Sequence, residues 1–162
     1  MIVVVCGVAG AGKTTTGELL AEALRLPFFD ADDFHPASNV AKMRSGAPLD
    51  DEDRLPWLEA LAGRLAVWEQ TGGAVLACSA LKEPYRKVLG SQCSEQIQWV
   101  VLNAPPNLLV DRLASRKGHY FDPELLHSQI DAFELPDYGL HIDVASSPEE
   151  VVKNILTRLR GE

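Results

Sequence analysis

Residues 2–14 read IVVVCGVAGAGKT, and this stretch decides the fold. Five apolar residues come first and predict a buried strand. The spacing G-x-x-x-x-G-K-[ST] follows over residues 7–14, and an amphipathic helical pattern begins at Lys13. Glycines in such a turn allow the backbone N–H groups to point inward at an anion, so a match in this context predicts a phosphate-binding loop. The helix that follows adds its free N–H groups and its dipole.

Two side chains of the motif have their own predicted roles. Lys13 is expected to place its positive charge between the β- and γ-phosphates of ATP, and the hydroxyl of Thr14 is expected to bind Mg²⁺. The alternative is a glycine-rich strand-to-helix turn with a solvated lysine. The loop residues expected to bind the nucleotide are Gly7, Val8, Ala9, Gly10, Ala11, Gly12, Lys13, Thr14 and Thr15.

Length and charge limit the class of protein. A chain of 162 residues with 46% hydrophobic and 23% charged residues is typical of a single globular domain, here residues 1–162. The formal net charge of −8 argues against a nucleic-acid-coating surface, which needs clustered Lys and Arg. An anionic ligand would therefore need a local cationic pocket.

Cysteine usage and hydropathy bear on location. The odd count of three cysteines favours a reducing compartment over a disulfide framework, and Cys6 and Cys78 are expected to behave as small core residues. No apolar stretch approaches the length of a membrane span, and no signal-like segment precedes the first strand. We therefore expect a cytoplasmic protein with no membrane or nucleic-acid partner.

Strand and helix patterns alternate along the chain. Strands are predicted at residues 2–6, 28–30, 74–78, 97–102 and 140–144, and helices at 13–26, 55–69, 106–115 and 148–159. This alternation predicts a parallel sheet covered by helices on both faces. Two segments interrupt the pattern: residues 31–54, expected to bind substrate, and residues 116–136, expected to form a lid.

An acidic cluster follows the second strand, where residues 30–36 read DADDFHP. Carboxylates this close repel one another unless a cation joins them, and a magnesium nucleotide is a natural candidate. Alternation along an extended segment would send Asp30 and Asp32 to the same side. One could then hold the metal while the other meets a substrate hydroxyl. The alternative is a solvated cluster that caps a helix.

Other features favour a small-molecule kinase. The third strand lacks the terminal Asp of a mechanical ATPase, and neither D-x-x-G nor N-K-x-D of a GTPase is present. Arg112 and Arg116 share a predicted helical face, and Gly118 follows them. A mobile arginine that closes on the transferring phosphoryl group stabilises its charge. The alternative is that these residues complement a helix C-terminus.

Further cations and histidines are scattered through the segments that follow the strands. Alone, each cation is more often a solvated charge, but together they could form the required cationic pocket. The cations are Lys42, Arg44, Arg54, Lys82, Arg86 and Lys87. His35 and His119 are expected to form hydrogen bonds or pack rather than bind a metal, because no second ligand stands at a zinc-like spacing.

Several segments together resemble the small gluconokinases that carry a P-loop. They are residues 30–36, 39–58 (NVAKMRSGAPLDDEDRLPWL), 78–82 (CSALK), 85–86, 116–121 (RKGHYF), 125–126 and 128–129. The resemblance implies a three-layer α/β/α P-loop kinase fold similar to nucleoside monophosphate kinases, with a five-stranded parallel sheet of order 2-3-1-4-5 and a lid. It implies ATP-dependent phosphorylation of D-gluconate at its 6-hydroxyl, in a homodimer.

A mechanism can be assigned to the matching positions as a hypothesis. Asp30 holds Mg²⁺ through water with Thr14, and Asp32 orients or deprotonates the 6-hydroxyl. Arg116 closes over the γ-phosphate, with Arg112 near the nucleotide. The substrate is expected to contact Asp32, His35, Lys42, Arg54, Arg86 and His119. The rival hypotheses are another small-molecule kinase, specific for shikimate or a nucleoside monophosphate, and a nucleotide-binding regulatory module with little turnover.

Overall fold

The computed structural model describes residues 1–115 and 123–161. Within these ranges, five parallel strands form one sheet in the order β2-β3-β1-β4-β5, as predicted. The strands are β1 Ile2–Cys6, β2 Phe28–Asp30, β3 Ala74–Ala77, β4 Gln98–Asn103 and β5 Leu140–Asp143. The central strand β1 is therefore paired on both sides, which places its carboxyl end, and the glycine-rich loop, in the middle of the sheet edge.

Helices cover both faces of this sheet. They are α1 Lys13–Leu24, α2 Ala37–Arg44, α3 Asp51–Gln70, α4 Glu83–Gly90, α5 Pro106–Ala114, α6 Pro123–Ala132 and α7 Pro148–Leu159. Val3 and Val5 of β1 face a core shared with α1, α5 and α7, whereas Val4 faces a core shared with α3 and α4. This is the α/β/α layering that the alternation of strands and helices predicts.

The buried cysteines belong to the core. Cys6 and Cys78 are both free and buried at the ends of the central strands. Burial raises the pKa of each thiol to about 12, so neither is a reactive thiolate at neutral pH. Both cysteines therefore pack as small apolar residues, as predicted.

The structure differs from the prediction mainly in residues 31–54 and 83–90. A 3-10 turn, Ala31–Phe34, and the helices α2 and α4 stand where no regular element was predicted. Helix α3 begins at Asp51 rather than at residue 55, because Asp50 and Asp53 form a reciprocal capping box. The 3-10 turn spans only four residues and α2 is largely polar, while α4 is amphipathic but only eight residues long, which is too short for its periodicity to stand out in the chain.

In the described ranges, 1–115 and 123–161, the model contains no helix with both the length and the apolar character needed to cross a membrane.

Candidate active site

The loop between β1 and α1 forms a nest of backbone N–H groups at the N-terminus of α1. Gly10 and Gly12 have φ values of 83° and 91°, in the left-handed region that glycine adopts without strain. A Cβ on Gly10 would also lie 3.1 Å from Cγ of Leu113 and 3.2 Å from the carbonyl oxygen of Leu109. Glycine is therefore required there both for conformation and for the close approach of α5.

Lys13 lies back over this loop. Its Nζ donates a hydrogen bond to the carbonyl oxygen of Val8 at 3.0 Å. Burial lowers the pKa of Lys13, while the nearby carboxylates of Asp32 and Asp30 act in the opposite direction. The ammonium group therefore lies between the nest and the acidic cluster, where a phosphate chain would need a positive charge.

The hydroxyl of Thr14 and the carboxylate of Asp30 face each other across the entrance to the nest. Thr14 Oγ1 donates to Asp30 Oδ2 at 3.4 Å. The other oxygen of Asp30, Oδ1, accepts the backbone N–H of Asp32 at 3.0 Å. Hydroxyl and carboxylate oxygens are the ligands that Mg²⁺ prefers, usually with several waters retained. The donor set at this position therefore fits a magnesium ion.

The carboxylate of Asp32 lies near that of Asp30, as predicted, but strand alternation is not the reason. Strand alternation does not apply, because Asp30 ends β2 and caps the 3-10 turn in which Asp32 lies. The capping alternative is thus correct for Asp30. The side chain of Asp32 is 84% exposed, and its carboxylate lies near Lys13 and Asp30. Partial desolvation, followed by repulsion from Asp30, raises the pKa of Asp32, and His35 and Lys13 oppose that rise.

His35 is held inside the protein rather than on an open surface. Its side chain is 4% exposed, and its ring stacks on Trp57 with a centroid distance of 4.1 Å. Trp57 is anchored in turn, because its Nε1 donates to the carbonyl oxygen of Ala31 at 2.7 Å. Asn39 is buried beside His35 and contacts the ring nitrogen Nδ1 at 3.3 Å. The sequence assigned no individual role to Asn39, whose contact with His35 is visible only in the folded chain.

Two cations lie over the ring of Tyr85. The guanidinium carbon of Arg54 is 5.6 Å from the ring centroid, and Nζ of Lys82 is 5.8 Å from it. The hydroxyl of Tyr85 donates to Asp51 Oδ1 and accepts from Arg54 Nη1 at 3.3 Å. The side chain of Arg54 is 30% exposed, and its positive charge lowers the pKa of His35. Arg54 therefore lies close enough to His35 to act on the region of Asp32, whereas Lys82 shares with it the ring of Tyr85.

The predicted substrate contact Lys42 is already paired. Its Nζ lies 2.5 Å from Oδ2 of Asp53 and 4.0 Å from Oδ2 of Asp50. The hydrogen bond to Asp53 raises the pKa of Lys42 and lowers that of Asp53. Lys42 therefore joins α2 to the start of α3, and its charge is largely matched by these acids.

Arg86 is buried, contrary to its expected place on the substrate surface. Its side chain is 2% exposed, and Nη1 and Nη2 each donate at 2.7 Å, to the carbonyl oxygens of Ala80 and Glu134. Its Nε contacts Glu83 and Tyr138, both at 3.1 Å. The guanidinium is thus committed to protein acceptors, and its position favours a structural role over substrate binding.

Helices α5 and α6 both contact the nest. Arg112 donates from Nη2 to the carbonyl oxygen of Val144 at 2.5 Å, and its Nη1 lies 3.9 Å from where a Cβ on Gly12 would stand. On α6, Gln129 Oε1 accepts the backbone N–H of Ala9 at 2.7 Å. Gln129 thus occupies one of the nest's donors, a contact that only the tertiary structure reveals.

The remaining predicted site residues lie in the lid segment. Arg116 and His119 lie outside the described residues, so their predicted roles over the γ-phosphate and the substrate hydroxyls stay predictions. Beside α6, the described part of the chain forms an open depression of about 970 Å³, and Lys82, Ser128 and Glu134 are among the residues that line it. Its lining combines Lys82 with the carboxylates of Glu124, Asp131 and Glu134, and it includes neither Asp32 nor a residue of the loop 7–15.

Comparison with known proteins gives a family. A family model described as shikimate kinase matches residues 9–160. The chain is 39% identical to a probable gluconokinase of Dictyostelium discoideum, covering 99% of this chain and 86% of that protein. It is also 39% identical to a gluconokinase of Arabidopsis thaliana, covering 96% of this chain and 90% of that protein.

A solved structure agrees with these relatives. The crystal structure of a gluconokinase from Sinorhizobium meliloti 1021 matches with a TM-score of 0.88 and 37% identity, covering 98% of this chain and 90% of that one. The family model is described as shikimate kinase, whereas these two relatives, which match nearly the whole chain, are named as a probable gluconokinase and a gluconokinase. The nest of N–H groups, which suits phosphates, and the Thr14 and Asp30 oxygens, which suit Mg²⁺, are consistent with a kinase. The chain belongs to the gluconokinase family of P-loop kinases.

Proposed function

We propose that this protein transfers the γ-phosphoryl group of ATP to the 6-hydroxyl of D-gluconate, giving 6-phospho-D-gluconate and ADP. The observation that carries the proposal is the meeting of Lys13 with Asp30 and Asp32 at the mouth of the nest. Phosphoryl transfer depends on positioning and charge stabilisation, and this arrangement offers both on neighbouring loops. The choice of gluconate is supported by relatives of 37–40% identity that are named gluconokinases.

The nucleotide side of the site is assigned to the nest. The phosphates are held by those N–H groups of residues 7–15 that do not already donate within the protein, as the N–H of Ala9 does to Gln129. Lys13 leaves Val8 to contact the β- and γ-phosphates. Thr14 and Asp30 would hold Mg²⁺, which supplies charge neutralisation on the phosphates when bound. Arg112 contacts the nucleotide beside Gly12, and Arg116 closes over the transferring group.

The acceptor side is assigned to Asp32. Its exposed carboxylate orients the 6-hydroxyl and accepts its proton as the oxygen attacks phosphorus. Proton acceptance contributes less than alignment, because the bond to the leaving oxygen is largely broken before the hydroxyl becomes acidic. Asp32 therefore acts mainly by holding the hydroxyl in line.

Recognition of the gluconate carboxylate is assigned to Arg54, with Lys82 beside it. Both cations lie over Tyr85, and Arg54 is partly exposed towards the Asp32 region. Lys42 contributes only indirectly, through its pairing with Asp53. His119 remains assigned to substrate hydroxyls, as a hypothesis from the sequence.

The experiment that tests this function is an acceptor panel in a coupled ADP-release assay. Purified protein with MgATP is given D-gluconate, shikimate, a nucleoside monophosphate or no acceptor. We expect gluconate to stimulate ADP release far above the rest. Stimulation by shikimate or the monophosphate would support another P-loop kinase, and nucleotide binding without stimulation by any acceptor would support a regulatory module.

Two further properties belong to the same proposal: a homodimer in solution, which the resemblance implies, and a cytoplasmic location, which the cysteine count and the hydropathy led us to expect. Light scattering of the purified protein, with and without nucleotide, tests the first. Fractionation of cells that produce the protein tests the second.

A further inference from the structure

His35 has partners on three sides, from the 3-10 turn, from α2 and from α3. Its ring stacks on Trp57 of α3 at 4.1 Å with an interplanar angle of 16°. Its Nδ1 lies 3.3 Å from Nδ2 of Asn39 on α2. Its Nε2 lies 3.9 Å from Oδ1 of Asp32, one turn earlier in the 3-10 turn. The ring is therefore fixed by packing and points one nitrogen at the proposed acceptor-binding carboxylate.

The contact with Asn39 determines which ring nitrogen carries the proton. Asn39 Nδ2 donates to the backbone carbonyl oxygen of Asp53 at 2.8 Å. A carbonyl can only accept, so the nitrogen of this amide must be the atom that faces both Asp53 and His35. Nδ1 of His35 then accepts the second amide hydrogen, and in the neutral ring the proton lies on Nε2. The tautomer follows from the hydrogen-bond network.

Neutral His35 is also what the surroundings favour. Burial lowers the pKa of His35, the charge of Arg54 on α3 lowers it further, and the Asp32 carboxylate acts against both. The described groups that bear on the ring thus include one acid on its own turn and one cation from α3. A neutral ring with Nε2–H towards Asp32 is consistent with both.

We propose that His35 is a positioning residue for Asp32, an inference that rests on the proposed function. Its Nε2–H donates to Oδ1 of Asp32 and leaves Oδ2 free for the acceptor hydroxyl. The present separation of 3.9 Å is longer than a hydrogen bond. The exposed side chain of Asp32 can rotate to close it, and catalytic hydrogen bonds commonly tighten when substrate binds. Asn39 acts through His35, because its hydrogen bond to Nδ1 fixes the tautomer of the His35 ring.

Two substitutions separate this role from a purely structural one. In His35→Gln, the side-chain amide reaches the position of Nε2 and can still donate to Asp32, but the acceptor for Asn39 is lost. In His35→Asn, the side-chain oxygen reaches the position of Nδ1 and can still accept from Asn39, but the donor to Asp32 is lost. Both variants lose the stacking on Trp57 equally, so they form a matched pair.

We expect His35→Gln to keep kcat within a few-fold of wild type, and His35→Asn to lose on the order of 10-fold or more, because a misplaced catalytic group can cost about 10²-fold. The KM for ATP should not change in either variant. In an Asp32→Asn background the two substitutions should become equivalent. Equal kcat values in the wild-type background, or a better His35→Asn enzyme, would overturn the proposal.

A second measurement does not depend on the acceptor. Nitrogen-15 NMR of histidine-labelled protein reports the ring tautomer, and the His35 signal is assigned by its disappearance in His35→Asn. We expect a neutral ring with the proton on Nε2, and a proton on Nδ1 would overturn the inference. If wild type does not phosphorylate gluconate, the proposed function fails on its own, while the tautomer still tests this geometry.

Discussion

Replacing Arg86 with methionine separates two roles for this residue, namely contact with substrate and support of the fold. Methionine keeps most of the apolar stem and removes the guanidinium. The buried carbonyl oxygen of Ala80 and the partly buried one of Glu134 then each lose a 2.7 Å donor, and Glu83 loses its ion-pair partner. Ala80 has a φ of 42°, an uncommon value for a residue with a side chain, so its carbonyl loses a contact that holds a strained turn.

The magnitude follows from the burial of these contacts. Hydrogen bonds to a charged group contribute about 1.5–3 kcal/mol each. Removing one partner from a buried charged network costs about 3–5 kcal/mol in other proteins. We therefore expect the free energy of unfolding to fall by about 3–5 kcal/mol, and Tm by on the order of 10 °C for a domain of this size.

The assay is urea denaturation followed by circular dichroism, with steady-state kinetics measured well below the lowered Tm. The matched control is Lys87→Met, which removes an exposed charge from the next position of α4 and should change stability by about 0.5 kcal/mol or less. The structural role is refuted if Arg86→Met unfolds like wild type within about 1 kcal/mol while the KM for gluconate rises.

Three further substitutions test the site directly. Lys13→Ala should lower kcat by on the order of 10²-fold or more, because one preorganised charge is lost; unchanged turnover would exclude its assigned role. For Asp32 the ionised form is active and its pKa is raised, so kcat/KM should fall with decreasing pH through a midpoint above the ordinary value of about 3.9. In Asp32→Asn that acid limb should vanish along with most of the turnover, while ATP still binds by calorimetry. Arg54→Gln should raise the KM for gluconate by about 10-fold or more and leave that for ATP unchanged, whereas Arg44→Gln, an exposed charge at the end of α2, should change neither.

Local sequence was informative wherever a physical requirement involves neighbouring residues. The glycine spacing with Lys13 and Thr14 is such a case, because the loop and the helix N-terminus are contiguous in the chain. The layered architecture is another, since alternating strands and helices predict a parallel sheet covered on both faces. The same holds for Asp30, whose position directly after a strand places it at the ligand-binding edge.

Other features depend on residues that are distant in sequence. The burial of Arg86 requires Glu134, 48 positions away, and the occupancy of the Ala9 N–H requires Gln129, 120 positions away. No sequence pattern predicts such pairs, because each residue considered alone is a polar side chain that could equally be exposed to solvent. The 3-10 turn that redirects Asp32 was missed for a related reason, since a four-residue turn has no periodicity to detect.

By itself, then, the sequence determined the parallel α/β architecture through the order of its elements and the phosphate-binding nest through contiguous residues, while the sheet order followed only from the family resemblance. Only the tertiary structure decided which charges are available and which are already paired. In the folded chain, Arg86 is buried, Lys42 forms an ion pair with Asp53, and His35 lies between Trp57 and Asn39. The physical reason is that the availability of a charge is set by desolvation and by partners, and both are supplied by segments that meet only when the chain has folded.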